Sequence, residues 1–220
     1  MSMSIAQHTG SDALGGTAQN PTITYASTQI AKNLNAIIIV WDNTQPLLSV
    51  VDSSANLYQR RGILLPAGGG AHALYRCLSI AASAAGNVVT FNFAAAPTAA
   101  PEAWIIEANT TRGSWSDGPF DSGSAASGTA MSTDGVVLSN ESVLGFASAV
   151  SGNGSAVTAG TGWTALDPLS GSDQDQWQSV SQPGFVKATA SQGVSGNWDM
   201  VAGYFYVTGS IRAKLMPLGI

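Results

Sequence analysis

The sequence predicts an all-β protein, a two-sheet antiparallel sandwich of the jelly-roll type with extended N- and C-terminal arms. Short segments rich in Val, Ile, Thr and aromatic residues recur between clusters of Gly, Ser, Asn, Asp and Pro, a pattern typical of an all-β sandwich or barrel. No long stretch carries apolar residues at the i, i+3, i+4, i+7 spacing of an amphipathic helix. A long strand near the end of the chain is expected to pair with much earlier strands, as in Greek-key and jelly-roll folds.

The individual strands follow from side-chain alternation and from the turn residues between them. Residues 35–41 and 197–208 are apolar on both faces, which predicts a central position in a sheet for each. Residues 109–133 are mostly Gly, Ser, Ala and Thr, so they are expected to form a long surface excursion with at most one short edge strand. The other predicted strands are 21–25, 47–51, 57–61, 71–80, 87–93, 103–107, 135–138, 142–150, 163–166, 177–181 and 184–189.

The composition is uniform and shows no internal repeat, which predicts one domain over residues 21–208. A chain of 220 residues can bury about 70% of its surface, enough for one sizeable core. Residues 1–20 are polar and Gly/Ala-rich and are expected to form an N-terminal arm. Residues 209–220 form an apolar C-terminal docking tail, which is expected to dock on its own chain or on a neighbouring subunit. Its assembly contacts are expected at Ile211, Leu215, Met216, Leu218 and Ile220.

Composition also excludes several classes of protein. A disordered chain combines low hydrophobicity with high charge, whereas this one has 45% hydrophobic and only 10% charged residues. Eight Lys and Arg against thirteen Asp and Glu do not supply the basic face of a nucleic-acid binder. The N-terminus lacks the charged and apolar regions of a signal peptide, which predicts synthesis in a cytoplasm. The apolar run 36–41 is too short for a membrane span, so no membrane insertion is expected.

The residues that carry most enzyme chemistry are scarce. Cys77 is the single cysteine, and a small buried strand residue is favoured over a reactive thiol or an intermolecular bridge. His8 lies in the predicted arm, and His72 is expected at the surface near a turn. Without a Gly-x-Ser-x-Gly elbow, these two histidines indicate no Ser-His-Asp arrangement, and they are too few for a transition-metal site.

The carboxylates suggest two kinds of site, a glycosidase pair and a calcium site. Glu102 and Glu107 are five residues apart on one predicted strand, so they face opposite sides and do not form a glycosidase pair. Asp173 and Asp175 offer oxygen ligands for calcium, but a solvated acidic turn is favoured because the EF-hand spacing is missing. The sequence therefore predicts no catalytic, cofactor or metal site, and the protein is not expected to be an enzyme.

Tryptophan is the one residue type that suggests a ligand. Trp115, Trp163 and Trp177 border predicted loops, where exposed aromatic rings would serve as platforms for sugars. The favoured interpretation is that such rings plug the rim of a sandwich. The remaining tryptophans lie in predicted strands and are expected in the core: Trp41, Trp104 and Trp198.

Several short motifs occur together in this sequence. Residues 49–58, Ser-Val-Val-Asp-Ser-Ser-Ala-Asn-Leu-Tyr, are similar to the pattern Val-x-Asp-Ser-x-Gly-Asn-x-Tyr. Residues 73–75, Ala-Leu-Tyr, and residues 87–93 follow, and residues 160–163 are Gly-Thr-Gly-Trp, a Gly-x-Gly-aromatic step. Together these motifs resemble a recurrent β-sandwich, jelly-roll-like domain of phage virion proteins and bacterial surface proteins. The resemblance covers about residues 22–208.

One departure from this pattern concerns the first turn. Ala55 replaces the turn glycine, so Asn56 is expected to take the left-handed conformation instead. Asp52 and Ser53 are expected to cap the turn through bonds from their side chains to the backbone, while Tyr58 packs the outgoing strand. A motif of this kind positions strands and carries no chemistry of its own.

The resemblance implies a non-enzymatic structural protein of the bacteriophage virion, either a capsid decoration protein or a tail-associated accessory protein. Its expected partners are copies of itself and other virion proteins, and it needs no cofactor. Symmetric positions in a particle predict a homo-oligomer, for example a trimer. The alternative is a carbohydrate- or cell-surface-binding module that holds surface glycans through Trp115, Trp163 and Trp177.

Overall fold

Antiparallel β-strands make up all the regular structure that is described. The computed structural model describes residues 3–66, 70–111, 113–139, 142–166 and 172–208. Within these ranges there are eighteen strands and no helix. The described residues therefore contain no helix that is long and apolar enough to cross a membrane. Every strand pairing is antiparallel, which confirms the predicted class.

The strands are β1 (Met3–Ser11), β2 (Thr22–Thr24), β3 (Leu34–Trp41), β4 (Leu47–Asp52), β5 (Gln59–Leu64), β6 (Ala71–Cys77), β7 (Val88–Phe93), β8 (Glu102–Thr110), β9 (Ser114–Ala125), β10 (Ala130–Ser132), β11 (Val136–Leu138), β12 (Val143–Ser151), β13 (Val157–Ala159), β14 (Thr164–Ala165), β15 (Asp173–Val180), β16 (Gly184–Val186), β17 (Thr189–Gln192) and β18 (Trp198–Thr208).

These strands form five sheets rather than the two that the sequence predicts. Sheet I has the order β1-β8-β3-β6-β5, and sheet II has the order β2-β7-β4. Sheet III has the order β9-β18-β12-β15-β14, and sheet IV has the order β10-β17-β13. Sheet V is the pair β11-β16. The predicted central positions are correct, because β3 lies between β8 and β6 and β18 lies between β12 and β9.

Three hydrophobic clusters stack the sheets into four layers. Alternation along β3 sends Ile37 and Ile39 into a cluster shared with sheet II, and Ala36 and Ile38 into a cluster shared with sheet III. The third cluster lies between sheet III and the small sheets IV and V. Sheets I and III are therefore covered on both faces. This explains why the sequences of their central strands are nearly continuous apolar segments.

The same topology occurs twice along the chain. Sheets I and II are built from residues 3–110, and sheets III and IV from residues 114–208. In each unit the five-stranded sheet and the three-stranded sheet have the same strand order, with β9 taking the place of β1 and β18 that of β8. Only sheet V has no counterpart in the first unit within the described residues. The two units face each other through sheets I and III.

Two edge strands are among the segments that differ from the sequence prediction. The predicted excursion 109–133 contains β9, a strand of twelve residues at the edge of sheet III. The predicted arm 1–20 contains β1, an edge strand paired along β8. β9 was not predicted because its small residues resemble those of a loop. In the structure these residues allow close approach to neighbouring backbone: a Cβ on Gly118 would lie 2.5 Å from the Tyr204 carbonyl oxygen.

The last strand pairs with a much earlier strand, as predicted, but this partner belongs to its own unit. β18 is hydrogen-bonded to β9, the first strand of the second unit, and to β12, and it packs across the layers onto β5 and β6 of the first unit. The predicted burial of Cys77 is confirmed. The boundaries of a domain at 21–208 stay a prediction.

Candidate functional site

The three tryptophans proposed as a ligand platform do not share a face. Trp115 is buried between sheets I and III, and Trp177 packs partly buried against the same cluster. Trp163 is buried on the opposite face of sheet III, edge-on to Tyr204 with ring centroids 6.4 Å apart. Their position beside Gly and Ser loops had suggested exposure, but two of the three rings fill cores.

The residues of the predicted tail lie outside the described residues, and so do Ile211, Leu215, Met216, Leu218 and Ile220. The described chain ends at Thr208, whose hydroxyl donates a hydrogen bond to the Ser114 carbonyl at the edge of sheet III.

Five polar side chains form a row across the contact between sheets I and III: His72, Asp199, Glu102, Asp173 and Asp175. His72 is buried, not at the surface as predicted, and its Nδ1 lies 2.6 Å from Oδ1 of Asp199. Alternation along β6 causes this burial, because Ala71 and Ala73 face sheet II and His72 therefore faces sheet III. Within the described part of the chain, no hydrogen-bond partner is found for the second ring nitrogen of His72.

The second part of this row consists of carboxyl groups. Glu102 on β8 is hydrogen-bonded to Asp173 on β15, and burial together with this bond and the charges of Asp173 and Asp12 raises the pKa of Glu102 to about 8. Asp175 is fully buried, and burial, with the nearby charges of Asp173 and Glu102, raises its pKa well above the usual range. The prediction of a solvated acidic turn is therefore wrong for Asp173 and Asp175.

These carboxyl groups do not form a metal centre. Among the residues that the structure describes, no three His, Cys, Asp or Glu side chains are placed to hold a metal ion. Ser148 lies opposite Asp175 in register, and its hydroxyl favours the ionised form of Asp175 without offsetting the effect of burial. Burial in this contact favours the protonated forms of Glu102 and Asp175.

The repeat relates the two parts of the row to each other. Val40 on β3 lies opposite His72 and Glu102 in sheet I, and its counterpart Val150 on β12 lies opposite Asp173 and Asp199 in sheet III. His72 therefore corresponds to Asp173, and Glu102 to Asp199. The His72–Asp199 pair and the Glu102–Asp173 pair occupy equivalent places in the contact.

Glu107 faces the other side of sheet I, as its five-residue spacing from Glu102 predicts. It is buried and accepts hydrogen bonds from the side chains of Gln7 and Asn33 and from the backbone N–H of Ile30. These bonds tie β1 and the loop before β3 to β8, so Glu107 has a structural role.

A cluster of ionic bonds lies elsewhere in the contact between sheets I and III. Asp117 on β9 accepts bonds from the guanidinium groups of Arg76 and Arg61. Burial opposes ionisation of Asp117, but the Arg76 bond outweighs it and lowers the pKa of Asp117. Asp121 is also ordered, because it accepts from the backbone N–H groups of Gly135 and Ser122. Both residues therefore have fixed partners within the fold.

The outer layers carry apolar side chains on their exposed faces. On sheet V, Val137 and Phe185 lie directly opposite each other in the ladder and are 75% and 64% exposed. A Cβ added to Gly135 would lie 2.2 Å from the Phe185 ring, so this glycine lets the ring lie over the backbone. On the outer face of sheet II, Val51 and Leu57 form an exposed bridge pair.

Comparison of the chain with protein-family models, with curated proteins and with solved structures gave no match.

Proposed function

We propose that the chain is a non-enzymatic structural protein of a bacteriophage particle, a capsid decoration or tail-associated accessory protein. It acts in the virion through contacts with copies of itself and with other virion proteins. On this proposal each of the two units is a jelly-roll-like two-sheet sandwich. The motif resemblance at residues 49–58 supports the assignment, and so does the low charge content of 10%.

The observation that carries the proposal is the exposed pair on sheet V. Val136 and Val186 are partly buried against the third cluster, so alternation turns Val137 and Phe185 outward. Exposed apolar groups of this kind mark contact sites, and aromatic side chains are enriched at the centres of protein interfaces. Sheet V also has no counterpart in the first unit within the described residues. This supports a role in contacts with other proteins rather than in forming the fold.

The test replaces the two outward side chains in the full chain, as Val137→Thr together with Phe185→Ser. We expect weaker self-association by light scattering and weaker binding to the particle, because the apolar contact area is lost, while the thermal midpoint changes little. The matched control is Val194→Ser, since Val194 is exposed to a similar degree, at 63%, but lies outside sheets II and V.

Two results would contradict the proposal. One is a wild-type chain that is strictly monomeric and does not bind its particle. The other is that the double variant associates as well as the wild type, which would move the contact away from sheet V. The apolar tail residues are a separate proposed contact, and deletion of residues 209–220 tests them by the same two measurements.

A further inference from the structure

Two turns of the second unit carry the same tripeptide, Ser-Gly-Asn, one at the end of β12 and one directly before β18. The two turns pack against each other in a reciprocal way. A Cβ added to Gly196 would lie 2.1 Å from the amide nitrogen of Asn153, and a Cβ added to Gly152 would lie 2.2 Å from that of Asn197. Each asparagine side chain therefore covers the glycine of the other turn.

The Asn153 side chain is exposed, yet hydrogen bonds hold it in one orientation. Its Oδ1 accepts from the Ser151 hydroxyl at 2.6 Å and from the backbone N–H of Ser155 at 3.1 Å. Its Nδ2 donates to the carbonyl oxygens of Val194 and Ser195 at 3.4 and 3.3 Å, which ties the two turns together. A backbone N–H only donates and a carbonyl only accepts, so these partners fix the two ends of the amide.

We propose that Asn153 is a site of spontaneous deamidation in the folded chain. Gly154 follows it, and this is the only Asn-Gly step in the sequence. Glycine has no side chain to hinder the approach of its backbone nitrogen to the preceding amide carbon. Because the reacting groups are covalent neighbours, the reaction needs only water and hydroxide from outside. This inference does not depend on the proposed function.

The reaction passes through a cyclic imide. The backbone nitrogen of Gly154 loses its proton to hydroxide and forms a bond to Cγ of Asn153. The Cγ–Nδ2 bond then breaks, Nδ2 takes a proton from water and leaves as ammonia, and a succinimide ring remains. Water opens the ring at either carbonyl carbon, which gives aspartate or isoaspartate. The attack first has to break the hydrogen bond from the Gly154 N–H to the Ser151 carbonyl, which is long at 3.3 Å.

The turn places donors where this reaction develops negative charge. When the Gly154 nitrogen attacks, Oδ1 of Asn153 becomes an oxyanion, and the Ser151 hydroxyl and the Ser155 N–H already reach that oxygen. The two bonds on the leaving nitrogen are longer, so they restrain it less. The turn therefore activates the amide that it holds.

The other turn supplies an internal control. Asn197 is also exposed and is also preceded by Ser-Gly, but Trp198 follows it and begins β18. The backbone of Trp198 is fixed in the ladder opposite Ser151, and its side chain is bulky, so its nitrogen is hindered from reaching the Asn197 amide. We expect Asn197 to stay intact while Asn153 reacts.

The test incubates the purified full chain at mildly alkaline pH and follows both asparagines by peptide mapping with mass spectrometry. We expect a carboxyl group to replace the amide of Asn153, with isoaspartate among the products, at a rate that rises with pH. Ser151→Ala should slow this conversion by about twofold to tenfold, the effect of one ordinary hydrogen bond on the oxyanion. The matched control is Ser195→Ala in the other turn, whose hydroxyl accepts from the backbone N–H of Gly128 and should leave the rate unchanged.

A second measurement follows the structural consequence. A carboxylate only accepts hydrogen bonds, so after deamidation it would face the carbonyl oxygens of Val194 and Ser195 without a hydrogen between them. We expect Asn153→Asp to lower the thermal midpoint and to speed hydrogen exchange in residues 193–197. Gln182→Glu adds the same charge at an exposed position and should change neither.

Three results would overturn the proposal. The first is an Asn153 that stays intact in the folded chain, whether or not the urea-unfolded chain converts. The second is equal conversion of Asn153 and Asn197, which would remove the role of Gly154. The third is a Ser151→Ala variant that converts as fast as the wild type or faster, since the bonds on Oδ1 would then restrain the amide and not activate it.

Discussion

At the scale of single residues, the turn after β4 shows a side chain directing the backbone. Asp52 is buried and accepts hydrogen bonds from the backbone N–H groups of Ser54 and Asn56 and from the side chains of Asn56, Tyr58 and Asn87. The predicted cap is therefore confirmed for Asp52, whereas the Ser53 hydroxyl instead accepts a hydrogen bond from the backbone N–H of Val88 on β7. The predicted left-handed residue was wrong: Ala55 has φ of 59°, because the backbone and amide groups of Asn56 are already bound to Asp52.

This strain gives a prediction for Ala55→Gly. A left-handed conformation costs an alanine roughly 1–2 kcal/mol that glycine avoids, and the greater freedom of glycine in the unfolded chain offsets part of the gain. We expect the free energy of unfolding to rise by about 0.5–1 kcal/mol, measured by urea denaturation. Ala82→Gly is the control: Ala82 is exposed and has no left-handed backbone, so that change should destabilise. A loss of stability in Ala55→Gly would contradict the strain argument.

At the scale of elements, the sequence was informative where side chains alternate and uninformative where a strand is made of small residues. β3, β7 and β18 were predicted because their apolar positions mark the faces that they bury. β9 was missed because Gly118 and Gly123 resemble loop residues, yet both lie against the backbone of neighbouring segments. The absence of a side chain is what allows this approach, and a hydrophobic pattern does not show it.

The close approach predicts the outcome of Gly123→Val. A Cβ at this position would lie 2.1 Å from the Ser132 carbonyl oxygen, so β9 and the β10 segment have to separate. We expect the free energy of unfolding, measured by urea denaturation, to fall by about 2–4 kcal/mol, because the obstacle is backbone and not a flexible side chain. The control is Ser124→Val, at the exposed neighbouring position of the same strand, which should change the free energy of unfolding by no more than about 0.5 kcal/mol. Equal effects of the two changes would contradict this account.

At the scale of the whole molecule, the repeat was not visible because equivalent positions carry unlike residues. His72, Leu74 and Arg76 on β6 correspond in register to Asp173, Asp175 and Trp177 on β15. What the two units share is strand order and the nearly complete burial of their central strands, β3 and β12. Complementarity across the contact constrains pairs of residues more than it constrains each residue alone. The polar row was missed for the same reason, since its members are far apart in the chain and meet only when sheets I and III stack.

The contact between the units contains two carboxyl groups with opposite pKa shifts, Asp117 and Glu102. The pKa of Asp117 is lowered by its bond to Arg76, so its contribution to stability is present near neutral pH and is lost as pH falls through its folded pKa, below the ordinary aspartate value of about 3.9. Asp117→Asn should therefore lower the free energy of unfolding by about 1 kcal/mol near pH 7 and by little at about pH 2, as measured by urea denaturation. The contribution of Glu102 has the opposite sign: its pKa is raised, so the stability it contributes is lost as pH rises from about 4.3 to about 8. Equal costs of Asp117→Asn at about pH 7 and at about pH 2 would contradict this account.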